Sequence, residues 1–359
     1  ARCDAVLLFN EKEFIMKRFI WAFLMLVSVA IITSCNFIVC KGENYCILKP
    51  GTHNLWGLNC ERNDYNSAGP MTYTTGLEII YATEYNKFGF DNGYDIYRGR
   101  IEFELPRESG ENYLSGYRGE ELTFLNTPAQ ERGPIKIHSS YYDQDLYLVS
   151  TNRGETNDVT GDYNILGTCR NKYNKVKTFN FGGNTDEHNE LYLCIDEANN
   201  ALYFCSDKDG DFNIYSYNYE DNDNDDWITI LSSDDIKTKA TPIAAINTSA
   251  NEECPYVYGD YLFFISNRAD GFGGTDIYYS KKDDKGNFGT PINLGENVNT
   301  EYNEYRVSCY FFDKEINPQT PWQSDGFPDF VIFSSDRPGG LGGYDLYLSI
   351  LKEIEVVSK

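Results

Sequence analysis

One unit recurs along this chain, and a chain built of repeats has few folds open to it. The unit is clearest as Ser266-Asn267-Arg268-Ala269-Asp270-Gly271-Phe272-Gly273-Gly274-Thr275-Asp276-Ile277-Tyr278. It returns as Ser335-Asp336-Arg337-Pro338-Gly339-Gly340-Leu341-Gly342-Gly343-Tyr344-Asp345-Leu346-Tyr347. Apolar aromatic runs precede the two copies, Leu262-Phe263-Phe264-Ile265 and Phe330-Val331-Ile332-Phe333. β-Branched and aromatic residues suit a pleated strand and clustered glycines suit a tight turn, so each copy reads as strand, turn, strand.

A second anchor, Asn-Thr followed closely by Glu, begins at Asn126, Asn184, Asn247 and Asn299, with a weaker copy at Asn63-Asp64. The starts at 63, 126, 184, 247 and 299 are separated by 63, 58, 63 and 52 residues, which makes five units. The later strand recurs as Tyr94-Asp95-Ile96-Tyr97, Tyr163-Asn164-Ile165-Leu166, Phe212-Asn213-Ile214-Tyr215, Asp276-Ile277-Tyr278 and Tyr344-Asp345-Leu346-Tyr347. An Asp or Asn recurring at one turn position is expected to accept backbone N–H bonds, as such side chains do in turns. A small sheet cannot bury both faces alone, so four strands in each of five units predict an all-β fold, a single β-propeller. Five blades are expected, with six as the alternative. Gly51-Thr52-His53-Asn54-Leu55-Trp56-Gly57 echoes Gly289-Thr290-Pro291-Ile292-Asn293-Leu294-Gly295, so the amino-terminal segment is expected to supply the last blade's outer strand and close the ring.

Composition excludes some partners. Acidic residues outnumber basic ones 55 to 31, a net charge of −24 that repels phosphate backbones and argues against nucleic-acid binding. Ten cysteines include Cys3 and Cys35 in the leader, and no C-x-x-C pair supports a zinc site. If Asn199-Asn200 forms a two-residue turn, Cys194 faces Cys205 and the two could pair; buried free thiols are the alternative.

Met16-Lys17-Arg18, a run of apolar residues from Phe19 to Ile32, and Thr33-Ser34-Cys35 make a secretory signal. Ile32-Thr33-Ser34-Cys35 also resembles the bacterial lipobox, and that resemblance implies lipid attachment at Cys35. The expected organisation is an upstream extension at 1–15, a lipoprotein signal peptide at 16–34, a lipidated tether at 35–45 and the propeller at 46–359. Asn36, in place of an inner-membrane retention aspartate, implies an outer-membrane lipoprotein whose body lies in the periplasm or at the cell surface.

The Ser-Asn/Asp-Arg, glycine-turn and Asp-Ile/Leu-Tyr motifs together resemble the TolB-type propeller repeats of Bacteroidetes-like envelope lipoproteins. That family often carries a separate peptidoglycan-binding carboxyl domain. The sequence stops at Lys359 without one, so wall binding by that route is not expected.

Catalytic signatures are sparse. His53, His138 and His188 have no motif partners, no G-x-S-x-G elbow is present, and Gly339 to Gly343 lacks the Lys-Ser/Thr of a phosphate cradle. Glu131, Glu190, Glu252 and Glu304 occupy equivalent repeat positions, a regularity expected of a shared structural bond rather than of distinct acid and base roles. Asp207-Lys208-Asp209-Gly210-Asp211 resembles a calcium loop, but an EF-hand would need Gly and Glu where Phe212 and Asn218 stand. No catalytic, cofactor or metal residue is assigned. The expectation is a lipid-anchored, non-enzymatic platform binding an envelope protein. The alternatives are a glycan- or peptidoglycan-binding module and a five-bladed glycosidase.

Overall fold

A computed structural model describes residues 38–40, 45–48, 50–68, 72–73, 76–85, 93–104, 113–139, 144–153, 159–171, 173, 175–220, 226–312, 326–352 and 354–357. Cys35, its signal peptide and most of the tether lie outside the described residues. So do most of the acidic run from Asp221 to Asp226 and the whole of 154–158.

Five antiparallel sheets form the blades of a propeller. Their inner strands are Asp64–Ala68, Glu131–Ser139, Glu190–Asp196, Glu252–Tyr258 and Glu304–Phe312. These five strands pack around a central channel, each against its neighbours and the fifth against the first. The second strands include Ala201–Ser206, Tyr261–Ser266 and Phe330–Ser335, in which every residue is buried. Such strands read as continuous apolar runs because both of their faces meet protein. Gly51–Asn54 pairs antiparallel with Asp345–Ile350, so the amino-terminal strand completes the fifth blade as expected. Thr72–Tyr73 adds a short parallel pairing to the same blade's inner strand, and a three-stranded sheet of Ile38–Cys40, Tyr45–Leu48 and Ile354–Val357 joins the two ends of the chain.

The repeated motifs are clasps. Glu304, fully buried, accepts from the backbone N–H (2.8 Å) and hydroxyl (2.7 Å) of Thr300, from the Ser335 hydroxyl (3.0 Å) and from Arg337 Nη2 (2.8 Å). Glu252 repeats this with Thr248, Ser266 and Arg268; Glu190 and Glu131 repeat it with threonine and serine or threonine alone. The arginine also lies over the tyrosine of its own motif, Arg268 4.7 Å from Tyr278 and Arg337 5.0 Å from Tyr347. The anchor asparagine acts as a one-residue strand. Asn299 accepts from Ile277 N–H at 2.9 Å and donates to Ile277 O at 2.8 Å. Asn126, Asn184 and Asn247 do the same to Ile96, Ile165 and Ile214.

In the first unit that role belongs to Asn59, which brackets Leu346, and not to Asn63. Asn63 instead matches Asn189, Asn251 and Asn303, whose Oδ1 atoms receive a backbone N–H from the preceding blade. The first anchor therefore lies four residues before the expected Asn63, with Cys60 where Thr was expected. The turn aspartates behave as expected in two blades: Asp276 accepts from Phe272 N–H and Asp345 from Leu341 N–H.

Of the two cysteine readings, buried free thiols hold, and the facing of Cys194 and Cys205 is corrected. A 3-10 turn over Glu197–Asn199 makes Asp196 face Ala201, and Cys194 then faces Tyr203, while Cys205 faces Leu191. Cys60, Cys169, Cys194, Cys205, Cys254 and Cys309 are free thiols, and Cys194 Sγ accepts Val257 N–H at 3.1 Å.

Candidate functional site

Each inner strand carries a β-bulge just past its clasp carboxylate, which in the first blade is Asp64, accepting Cys60 N–H. The register breaks between Tyr65 and Ala68, between Leu191 and Cys194, between Glu253 and Tyr256, and between Tyr305 and Ser308; blade two has the same break opposite Leu148 and Ser150. At the bulge the backbone enters the left-handed region in Gly133 (φ 58°), Tyr192 (φ 55°), Cys254 (φ 55°) and Arg306 (φ 37°). Non-glycine residues there carry strain, and bulges of this kind re-aim side chains.

The bulges and the residues just before them gather a mixed cluster at one mouth of the channel. One residue past the clasp, the five blades supply Tyr65, Arg132, Leu191, Glu253 and Tyr305. Glu253 Oε2 accepts the Tyr305 hydroxyl at 2.8 Å, and the Tyr305 ring stacks on Tyr65 with centroids 4.7 Å apart. Tyr344 meets Tyr65 edge-on at 4.9 Å, and Tyr94 stacks on it at 5.6 Å. The Arg132 guanidinium sits between Tyr94 (4.7 Å) and Tyr163 (5.2 Å), donates to Gln130 Oε1 at 2.7 Å, and keeps a buried Nε without a partner. The Tyr192 hydroxyl lies 3.5 Å from the Tyr305 hydroxyl.

Glu253 is half-buried and has no ion pair among the described residues. Burial pushes its carboxyl up from the ordinary range, against the opposing pull of the Tyr305 hydroxyl bond and the Arg132 charge. A carboxyl whose acidity is weakened in this way gives up its proton less readily to water and is better suited to donate it to a bound oxygen. Burial also raises the phenols of Tyr305, Tyr65 and Tyr192 well above their usual value, so these hydroxyls stay neutral donors.

The residues singled out from sequence lie elsewhere. Glu131, Glu190, Glu252 and Glu304 are structural clasps, as their regularity suggested. His53 lies on the closing strand, where burial lowers its pKa to about 4, and His188 is 3.7 Å from Asp207. His138's side chain lies outside the described residues. Two carboxylates of the calcium-like loop face protein donors: Asp207 accepts from Asn189, and Asp209 from the Tyr215 hydroxyl. Among the described residues no group of three or more His, Cys, Asp or Glu is placed to hold a metal ion.

Glu253 was missed because sequence reasoning pooled it with the clasp beside it. A signal existed: Glu252-Glu253 is the one inner strand in which an acid follows the clasp.

No family model matches the chain, and no curated protein matches it. Solved structures do. A thermostable family-43 glycoside hydrolase is 12% identical, covering 84% of this chain and 90% of its own, with a TM-score of 0.47. A family-117 glycoside hydrolase of the marine bacterium Zobellia galactanivorans is 10% identical over 85% and 91%, TM-score 0.47. A putative TolB from Agrobacterium tumefaciens is 11% identical over 89% and 99%, TM-score 0.38. Likeness at this level concerns the fold and leaves the chemistry of those proteins with them.

The expectation of a non-catalytic protein platform, and with it the absence of enzyme activity, is nonetheless overturned. Several of the solved structures that the chain is similar to are glycoside hydrolases.

Proposed function

We propose that the channel mouth is a carbohydrate site. The observation that carries this is the Glu253–Tyr305 pair set in a wall of Tyr65, Tyr163 and Tyr344, with Arg132 beside it. A sugar ring offers an apolar C–H face together with a rim of hydroxyls. Tyrosine rings match the face, and the phenols, carboxyl and guanidinium match the rim. The test is calorimetric titration of the full chain with neutral and acidic oligosaccharides. Saturable binding lost in Tyr163→Ala and Glu253→Ala supports the site. No saturable binding across the panel, or binding unchanged in both variants, refutes it.

Hydrolysis is a second reading, favoured by the raised Glu253 carboxyl, which suits a general acid. It requires a second carboxyl across the scissile bond. Release of reducing ends that disappears in Glu253→Gln while binding persists would support it; binding without any release would refute it.

The envelope address belongs to the same proposal. Lipid on Cys35, borne by a TolB-type envelope lipoprotein, would hold the ring at the outer membrane, where glycans are present. Cys35→Ala should move the protein from the membrane to the soluble fraction, and continued membrane retention would refute the anchor.

A further inference from the structure

Past the bulges the channel changes character. A cavity of about 470 Å³ opens there, walled by Ile79, Ile135, Leu193, Pro255, Tyr256 and Val257 among others. This wall offers a sugar little to bond. It suits an apolar chain, and the volume falls within the range of small-ligand pockets.

One charge breaks the apolar lining. Arg306 borders the cavity and is only 4% exposed. Its Nη2 donates to Pro134 O at 3.1 Å and its guanidinium faces the Tyr192 ring at 5.5 Å. No carboxylate pairs with it among the described residues, and its Nε has no hydrogen-bond partner. Burying a cation without a counter-charge is costly, and here the cation also stands on a left-handed backbone at φ 37°. The other lining charges are balanced or wet. Lys136 pairs with Asp145 at 3.2 Å, Glu78 lies 3.7 Å from Arg98, and Glu197 is exposed at the solvent end. Arg306 is thus a buried, uncompensated cation beside an aliphatic cavity.

We propose that this cavity binds an amphiphilic carboxylate, its alkyl chain on the aliphatic wall and its head group on the Arg306 guanidinium. A planar guanidinium is the side chain best matched to a carboxylate. The counter-charge missing from the protein would then come from the ligand.

Octanoate and octanol share one chain length and differ in charge, so they make the test. In calorimetric titration of the full chain, octanoate should bind saturably and at least about ten-fold more tightly than octanol. Arg306→Gln should bring the two within about three-fold of each other by weakening octanoate. Ile137→Trp, which fills the cavity from its half-buried rim, should weaken both. Should Arg306→Gln fail to fold, the wild-type ratio and Ile137→Trp still decide. Equal affinity for the two probes, no saturable octanoate binding, or octanoate binding untouched by Ile137→Trp would overturn the proposal.

Discussion

Glu304→Ala tests whether the clasp holds the ring. The carboxylate is fully buried and receives four hydrogen bonds, one from Arg337, whose side chain is 13% exposed. Truncation leaves that guanidinium nearly buried with Ser335 Oγ at 3.0 Å and the Val298 carbonyl as partners, and it orphans the Thr300 N–H. Breaking a buried ion pair from one side costs about 3–5 kcal/mol, and an orphaned buried donor about 1–3 kcal/mol. The two losses share one cavity that water can enter, so they do not sum, and about 3–5 kcal/mol is the expected total. Urea unfolding followed by tyrosine and tryptophan fluorescence measures it, with m checked for constancy. The double variant Glu304→Gln/Arg337→Met removes both charges, and it should be less destabilised than the sum of its single variants by about 1–3 kcal/mol. A Glu304→Ala loss below about 1 kcal/mol, the value of an exposed pair, would refute the reasoning.

Three further outcomes follow from the same geometry. Burial raises the Glu131 carboxyl from 4.5 to about 7, so the native state binds that proton more tightly than the unfolded chain does. Its contribution is fully present below pH 4.5 and is lost as pH rises to about 7, at most about 3 kcal/mol from the size of the shift. Stability measured against pH for wild type and Glu131→Gln should show this difference, and parallel curves would exclude it. A Cβ on Gly342 would stand 1.5 Å from Arg62 O, so Gly342→Ala should cost about 1–3 kcal/mol in thermal unfolding, whereas Gly289→Ala, whose nearest atom is at 3.4 Å, should cost little. The thiols of Cys194, Cys205, Cys254 and Cys309 are buried and raised in pKa, so a thiol reagent at pH 8 should label them only after denaturation.

Much of the fold was legible because the clasp repeats. A buried Glu takes Thr and Ser donors, or Thr alone, in four of the blades, so the anchor recurs and its period revealed the blades, while the echo of Gly51–Gly57 in Gly289–Gly295 revealed the closing strand. The first anchor was misplaced because Asn59-Cys60 replaces Asn-Thr, and hydrogen bonding rather than residue type defines the position. The Cys194–Cys205 pairing failed for a different reason. A 3-10 turn over Glu197–Asn199 replaces the expected two-residue turn, so Asp196 rather than Ala198 faces Ala201 and Cys194 slips two places to Tyr203, and nothing in Glu197-Ala198-Asn199-Asn200 announces the longer turn. The site was the least legible part. It lies in what differs between repeats, and periodicity is blind to differences.

That division of labour explains where chemistry can reside in a ring of this kind. A position that clasps its own blade must be the same in every blade, and so cannot be specialised. The next residue along each inner strand faces the axis instead, and there the blades supply two tyrosines, an arginine, a leucine and a glutamate. The Tyr65–Tyr305 stack joins the first blade to the fifth, and the Tyr305–Glu253 bond joins the fifth to the fourth. The mouth cluster therefore exists only when the ring is closed. Closure rests on Gly51–Asn54 pairing with the fifth blade and on Asn63 receiving Tyr344 N–H at 2.7 Å across the seam. Gly342, against Arg62 at that same seam, lies near the Tyr344 ring that packs edge-on against Tyr65. Strain introduced there should reach the mouth before it unfolds a blade, because the Tyr344 carbonyl also accepts Asp64 N–H at 2.7 Å across the seam, next to Tyr65.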